Sequence, residues 1–142
     1  MNDDPGATTV RLDNVDPSLV TLTHVIYGLH ALSILIGIVS STFIITAFLF
    51  GIPSIVAVIL NYVKRGDVRG TWLDSHFRWQ IRSFWVALAL IVGTSIVFGP
   101  LSLILVGIPF LIAGFALTTL WVIYRVARGW IALRDSRPMP TG

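Results

Sequence analysis

Residues 17–63 read PSLVTLTHVIYGLHALSILIGIVSSTFIITAFLFGIPSIVAVILNYV and contain no Asp, Glu, Lys or Arg, and the same is true of residues 83–124. These two charge-free blocks are 47 and 42 residues long. At a rise of ~1.5 Å per helical residue, each would measure roughly 60–70 Å, about twice the ~30 Å hydrocarbon core of a bilayer. Each block therefore predicts a hairpin of two transmembrane helices, and the chain predicts an all-α polytopic membrane protein.

The composition of the 142-residue chain agrees with this prediction. Hydrophobic residues make up 55% of it and charged residues only 12%, about half the ~25% that is typical of soluble domains. The absence of cysteine excludes disulfides, thiolate nucleophiles and cysteine-based metal sites. The first residues are acidic and turn-forming, without the basic start of a cleavable signal peptide. We therefore expect the first membrane helix to direct insertion.

Turn and capping residues predict where the helices begin and end. Asp16 is a suitable cap and Pro17 suits a first helical position. The polar turn of the first hairpin is expected at residues 40–42, and Gly99-Pro100 is expected to form the second turn. A first turn near Gly51 is the alternative, although it leaves a second span of only ~12 residues. The predicted segments are a mobile polar tail at 1–16, a transmembrane domain at 17–129 with helices at about 17–40, 43–64, 75–98 and 101–128, and a cytoplasmic tail at 130–142.

The tripeptide Gly-Ile-Pro occurs twice, at 51–53 and 107–109, each time inside the predicted second helix of a hairpin. An interior proline removes a helical hydrogen bond and usually kinks the helix. Two interpretations follow. The copies are either kinks in two helices of one bundle, or the mark of a duplicated transport unit with broken helices that line a substrate site.

The basic residues predict the orientation of the hairpins. Residues 64–82 contain five Lys or Arg and residues 125–137 contain four, whereas the two hairpin turns have none nearby. The positive-inside rule then places both termini and the central loop in the cytoplasm. The same distribution argues against nucleic acid as a partner, despite a net charge of +3, because the basic residues cluster at predicted helix ends.

A few polar side chains lie at membrane depth or beside it. An ionisable group inside a membrane is costly and is by default a functional candidate. For His30 two roles stay open, a structural hydrogen bond to a neighbouring helix and a proton or ligand role. His76, Gln80 and Ser83 are spaced i, i+4, i+7 and share one helix face. The candidate intramembrane polar residues are Tyr27, His30, Asn61, His76 and Gln80.

The start of the third helix combines arginine with tryptophan. Guanidinium groups beside indoles at a cytoplasmic leaflet suit the phosphates of anionic lipids, at about 1 kcal/mol per basic residue. An ordinary interfacial anchor is the alternative interpretation. The candidate residues for lipid or partner contact are Arg65, Arg69, Trp72, Arg78, Trp79 and Arg82.

Catalytic motifs are absent from the sequence. It contains no HExxH, no Gly-x-Ser-x-Gly and no phosphate-binding loop. Glutamate is missing altogether and no acid lies in a charge-free block, so paired-carboxylate chemistry lacks its usual residues. We therefore expect neither an enzyme nor a bound cofactor or metal.

Several short motifs are spread over residues 20–138. In chain order they are His30-Ala31-Leu32, Pro53, the basic loop, Asp74-Ser75-His76, Gln80-Ile81, Arg128-Gly129 and Pro138. Together they resemble the small bacterial membrane proteins grouped as domain of unknown function 4870, which are in turn similar to the Tic component of chloroplast protein import. Trp130 departs from the pattern, since that family often has an acid there. The resemblance implies four helices in the inner membrane and no established activity.

Two functions are therefore considered. The first is a non-enzymatic accessory or scaffold subunit of the bacterial inner membrane, acting through helix–helix and anionic-lipid contacts, as a homo-oligomer or with another membrane protein. The second is an oligomeric channel or small transporter with a polar path near His30, Asn61 and Gln80. Convergence of the polar residues on a cavity would favour the second. Small residues that would allow close helix packing in either case are Gly28, Ala31, Gly37, Gly107, Ala113 and Gly114.

Overall fold

A computed structural model describes residues 15–39 and 51–140, and this part of the chain is helical without any strand. Its four helices are α1 (Pro17–Val39), α2 (Ile52–Lys64), α3 (Leu73–Ser102) and α4 (Gly107–Arg134). The prediction of an all-α protein is confirmed. Three helices, α1, α3 and α4, are long and apolar enough to cross a membrane. The 13 residues of α2 span only about 20 Å. The predicted turn at 40–42 lies outside the described residues, as do residues 1–14 and 141–142.

Helix α1 begins where the sequence predicts. Pro17 is its first residue, and an Asp16 carboxylate oxygen accepts a hydrogen bond from the backbone N–H of Ser18 at 2.8 Å. This bond satisfies a donor that a helix start otherwise leaves without a partner. It also lowers the pKa of Asp16 below its ordinary value, because it favours the charged carboxylate.

Both Gly-Ile-Pro tripeptides begin a helix, so the prediction of mid-helix kinks is wrong. Gly51 directly precedes α2 and Pro53 lies in its first turn. Gly107 is the first residue of α4, which places Pro109 in the first turn as well. A proline there costs no intrahelical hydrogen bond, since the first four N–H groups of a helix have no acceptor within it. The start of α2 agrees with the alternative turn near Gly51.

The predicted turn at Gly99-Pro100 is also wrong, because α3 continues through it to Ser102. Proline disfavours helical geometry in the preceding residue chiefly by a clash with its Cβ, and glycine at 99 has no Cβ. The turn lies at residues 103–106, with Leu105 in the left-handed region at φ +63°. The residue after this turn has to be glycine, since a Cβ at Gly107 would lie 2.5 Å from the carbonyl carbon of Leu101.

The outer ends of the hairpin helices also differ from the prediction. α3 begins at Leu73, two residues before the predicted start. α4 passes Gly129 and ends at Arg134, so residues 130–134 of the predicted tail are helical. The predicted end near residue 128 is too early, because Leu133 beyond it is buried in the core. The apolar contact of Leu133 stabilises the additional turn.

The helices pack mainly at one end of the bundle. α3 and α4 form the most extensive contact, and α1 packs against both α2 and α4. The core gathers α1, α2, the loop before α3, the first turns of α3 and the last turns of α4. Its buried members are Ile26, Tyr27, Ala57, Val68, Trp72, Leu73, Phe77, Val126 and Leu133. We call this region the packed end. Residues 85–117, the apolar half of the α3–α4 hairpin, contain one buried residue, Gly107.

Candidate functional site

His76 lies at the centre of the packed end and is fully buried. Its Nε2 is 2.7 Å from the carbonyl oxygen of Arg137, and its Nδ1 is 3.0 Å from the Tyr27 hydroxyl. A carbonyl only accepts, so Nε2 carries the proton and donates it to this oxygen. Nδ1 of the neutral ring then accepts the hydrogen bond that Tyr27 donates. His76 therefore joins α1, α3 and the segment after α4.

The segment after α4 folds back onto the start of α3. The backbone N–H of Met139 donates to Ser75 Oγ at 2.8 Å, and the Met139 side chain is buried. With the bond from His76 to Arg137, two hydrogen bonds join residues 137–139 to the start of α3, and the backbone N–H of Arg137 also donates to the Ala132 carbonyl oxygen at 2.9 Å. The predicted cytoplasmic tail is thus, through Pro140, part of the folded bundle.

Tyr27 needs a glycine on the neighbouring helix. A Cβ at Gly129 would lie 2.7 Å from Cε1 and Cζ of the Tyr27 ring, closer than carbon atoms can approach. Gly129 therefore lets α1 and α4 pack tightly enough for Tyr27 to reach His76. No local sequence pattern indicates this role of Gly129, because it depends on contact with Tyr27 on another helix.

His30 joins α1 to α2. Its Nδ1 lies 3.1 Å from Ser54 Oγ, and the backbone N–H of Ser54 donates to Ser33 Oγ at 3.0 Å. The other ring nitrogen, Nε2, is buried and has no hydrogen-bond partner within residues 15–39 and 51–140. Nδ1 of His30 thus joins two helices, whereas Nε2 has no described partner and can bind another group.

Two buried amides resemble His30 in this respect. Gln80 on α3 is 2% exposed and Asn61 on α2 is fully buried. Neither atom of either amide has a partner among the residues that the structure describes. Buried amides almost always have partners, so such groups in a folded protein call for a functional or solvent explanation.

A cavity of about 60 Å³ lies between the helices at the packed end. We call it the interhelical cavity. Three of the five predicted polar residues line it, namely Tyr27, His30 and Gln80, whereas His76 lies behind Tyr27 and Asn61 is buried elsewhere on α2. The complete lining is Tyr27, His30, Ser54, Trp79, Gln80, Ser83, Phe84, Ala87, Val122, Arg125 and Val126.

Arg125 is the cavity residue that sequence reasoning missed. Its guanidinium carbon stacks 3.3 Å from the centre of the Trp79 ring, and its Nε donates to Ser83 Oγ at 2.8 Å. The indole N–H of Trp79 donates in return to the Arg125 carbonyl oxygen at 3.1 Å. Arg125 directly follows the second charge-free block, so the charge pattern predicts a cytoplasmic position for it like that of the other arginines at 125–137. The sequence feature that points to this role is the spacing of four residues between Trp121 and Arg125, which places both on one helix face. The Trp121 ring also lies near the guanidinium.

A second depression, of about 390 Å³, lies on the surface beside the start of α3. Four of the six residues predicted for lipid or partner contact line it: Arg65, Arg78, Trp79 and Arg82. The remaining lining residues are Ser75, Ile81 and Pro140. We call it the basic groove. Trp79 lines the groove and the cavity alike, so its indole forms a wall between them.

The other two predicted contact residues lie elsewhere. Arg69 is exposed in the loop between α2 and α3. Trp72 is buried and packs edge-on against the His76 ring at 5.4 Å between centroids. An indole of this size has its greatest stabilising effect in a core, and the loop turns Trp72 inward. Trp72 is therefore a core residue and does not face lipid.

The site thus has two chemically distinct parts. The basic groove presents guanidinium groups and an indole at the surface, which suits phosphate or carboxylate groups. The interhelical cavity presents unpartnered buried atoms and one guanidinium, which suits a small polar occupant. The resemblance to domain of unknown function 4870 stays a prediction, and the function has to be argued from these two features. Comparisons with protein-family models, curated proteins and solved structures give no match to this chain.

Proposed function

We propose that this chain is a non-enzymatic integral protein of the bacterial inner membrane and acts as an accessory or scaffold subunit. It contacts partner helices through its apolar half and anionic lipid through its basic groove. One observation carries the proposal: the apolar half buries a single residue, whereas three arginines gather around a groove at the opposite end of α3. A subunit of this kind needs a surface for neighbours and an anchor at the headgroups, and this division supports both.

The proposed topology has four spans, with both termini and the loop between α2 and α3 in the cytoplasm. The helix lengths support three of these spans. The fourth would be α2, although its 13 residues measure only about 20 Å, less than the ~30 Å hydrocarbon core. With this orientation the basic groove lies at the cytoplasmic leaflet, where the positive-inside rule expects arginine.

Lipid binding in the groove is supported by its charges. Arg78 pairs with Asp74 at 3.3 Å, and Asp74 is the acid nearest to the groove in sequence. Arg65 and Arg82 add two further positive charges. A lipid phosphate can accept paired hydrogen bonds from guanidinium groups, while the Trp79 indole contacts glycerol and the upper acyl chains.

Contact with partner helices is supported by three glycines at which the described residues leave room for a neighbour. At Gly28 and Gly37 on α1 and at Gly93 on α3, a Cβ would have no described heavy atom within 4 Å. Small residues of this kind let a further helix approach closely. Gly114 differs, because a Cβ there would lie 2.5 Å from the Thr94 methyl. Gly114 serves contact within the hairpin, and the other three glycines are open to a neighbour.

Lipid retention tests the groove. The double variant Arg65→Gln/Arg82→Gln and a charge-matched control, Arg69→Gln/Arg134→Gln, are compared by native mass spectrometry with phosphatidylglycerol and phosphatidylcholine. We expect the groove variant to lose bound phosphatidylglycerol while the control retains it. Equal retention in the two variants contradicts a specific groove site.

Cross-linking in native membranes tests the accessory role. We expect a homo-oligomer or a defined membrane-protein partner, with cross-links through residues 85–117 or the open face of α1. A monomer without any cross-linked neighbour contradicts the accessory function.

A channel or small transporter is the second candidate. Convergence of Tyr27, His30 and Gln80 on the interhelical cavity favours it. Ion flux into liposomes, measured for the native chain, His30→Ala and Gln80→Leu, tests it. Flux that depends on these side chains supports a polar path, and flux that is indifferent to them counts against it.

A further inference from the structure

We propose that the interhelical cavity binds one small inorganic anion of halide size, held by the Arg125 guanidinium, the Gln80 amide and His30 Nε2. This site is separate from the lipid groove, and it does not depend on whether the groove binds lipid. Three observations carry it: an uncompensated charge, unpartnered buried donors and the volume of the cavity.

The charge comes from Arg125. The described residues include four carboxylates, and each has another role: Asp16 caps α1, Asp67 pairs with Lys64, Asp74 with Arg78, and Asp135 with Arg134 and Arg137. None of these described ion pairs includes Arg125. Because Arg125 is partly buried, solvent screens its guanidinium less than that of an exposed arginine, and an opposite charge nearby is favoured. An anion from solution would supply that charge.

The donors come from Gln80 and His30. Neither nitrogen completes a hydrogen bond of good geometry in the described part of the chain, although the Gln80 amide interacts with the Tyr27 hydroxyl. Both side chains line the cavity. In the tautomer that carries the proton on Nε2, His30 Nδ1 accepts from the Ser54 hydroxyl, 3.1 Å away, and Nε2 can donate to an occupant. The Tyr27 hydroxyl is already used on His76, and Ser83 Oγ donates to the Trp79 carbonyl at 2.7 Å. The groups left for an occupant are mainly donors, as an anion requires.

The volume limits what can bind. A cavity needs roughly 10–15 Å³ to hold one water, and sites for organic ligands usually measure about 300–1,000 Å³. At about 60 Å³ the interhelical cavity accepts one small ion with a water or two and is well below the usual size of a site for an organic ligand. A water beside the ion would donate a hydrogen bond to the side-chain amide oxygen of Gln80 (Oε1), which an anion cannot do.

The position beside the basic groove favours delivery of anions. Trp79 separates the two spaces, and Arg65, Arg78 and Arg82 lie on its groove side. Clustered positive charge raises the local concentration of anions at a cleft. An ion in the groove would reach Arg125 by a displacement of the Trp79 indole, which stacks directly on that guanidinium.

The test compares halides with a larger anion. The full chain in detergent is heated in sodium chloride, sodium bromide or sodium gluconate at equal ionic strength. Gluconate is too large for the cavity. We expect a saturable rise in melting temperature with chloride and bromide only, and an anomalous bromide peak between Arg125 and Gln80 in crystals grown with bromide.

Two variants of Gln80 keep the test falsifiable. Gln80→Leu removes the donor and should raise the bromide concentration needed for half-saturation by at least about tenfold. Gln80→Glu places a carboxylate where the anion would lie, so the variant should fold without any halide dependence. Arg69→Gln, in the exposed loop between α2 and α3, is the charge-matched control away from both spaces, and it should keep the bromide peak.

Melting temperatures that are equal in all three salts, together with water alone in the cavity of bromide-grown crystals, would overturn the proposal. Unchanged halide dependence in Gln80→Glu would also overturn it, because it would place the ion elsewhere.

Discussion

The two ends of the α3–α4 hairpin have the same kind of backbone and opposite chemistry. The first three turns of α3 bury Leu73, Ser75, His76, Phe77, Gln80 and Ser83. Hydrogen bonds at His76, Ser83 and Ser75 join these turns to α1, to α4 and to the chain after α4. Beyond Trp85 the same helix buries nothing and exposes large apolar side chains, such as Ile96 and Val97. A soluble protein hides its apolar residues and exposes its polar ones. The inversion along one hairpin indicates that the apolar half is made for a lipid or protein environment and that the packed end holds the fold together.

The largest expected effect distinguishes water from lipid as the environment of the apolar half. Ile96 is 69% exposed and Ile131, at the packed end, is 51% exposed, so in water arginine at either position would change stability by less than about 0.5 kcal/mol. In a membrane Ile96→Arg should cost about 2.5–3.5 kcal/mol of insertion free energy, while Ile131→Arg stays nearly neutral. Resistance to carbonate extraction, compared for the two variants, measures this. Equal insertion would contradict a lipid environment for residues 85–117.

The next effect compares two glycines. Gly129→Ala forces a methyl into the Tyr27 ring and should cost about 1–3 kcal/mol of unfolding free energy by overpacking. Gly93→Ala in the apolar half meets open space, and should be neutral or stabilising by up to about 1 kcal/mol from helix propensity. Thermal or denaturant unfolding in one detergent gives both values. A destabilisation of the same size at 93 would show that residues 85–117 are as tightly packed as the packed end.

A smaller effect is expected at the Tyr27 hydroxyl. Tyr27→Phe leaves His76 Nδ1 without its donor in a buried site and should cost about 1–2 kcal/mol. Tyr124→Phe, whose hydroxyl only accepts from Arg128 at an exposed position, is the control and should change stability by less than about 0.5 kcal/mol. Amide hydrogen exchange after α4 gives a second measurement, because weakened anchoring of His76 should lower protection near Met139. Unchanged protection in Tyr27→Phe would mean that residues 137–139 are held independently of α1.

The smallest effect is at Asp16, at the exposed start of α1. Its carboxylate is hydrogen-bonded to Ser18 and its pKa is lowered from 3.8, so the charged form supports the helix start. This contribution is complete above the ordinary pKa and is lost as pH falls through the lowered one. The protection factor of the Ser18 amide, which corrects for the intrinsic pH dependence of exchange, should therefore fall below about pH 4 in the native chain and be low at every pH in Asp16→Ala. A constant protection factor in the native chain down to pH 2 would contradict this cap.

Particular residues show how much could be predicted. Asp16 and Pro17 start α1 as expected, because capping depends on neighbours in sequence. Gly-Ile-Pro and Gly99-Pro100 were misplaced, since a proline is equally compatible with a first turn, a kink or a late turn after glycine. The candidates Tyr27, His30, Asn61, His76 and Gln80 are all buried, although their role stays a prediction. Arg125 and Gly129 were missed, because their importance depends on Trp79 and Tyr27, more than 40 residues away.

The sequence by itself determined that this protein is helical and made largely for an apolar environment, because the hydrophobic effect depends on composition and on uncharged length. The distribution of charge also located the basic loop. Only the tertiary structure decided that Tyr27, His76 and Arg137 are linked, that Arg125 turns toward a cavity, and that Gln80 is buried there rather than at the surface. Those outcomes depend on close packing and on hydrogen bonds between distant segments, whose geometry no local pattern encodes.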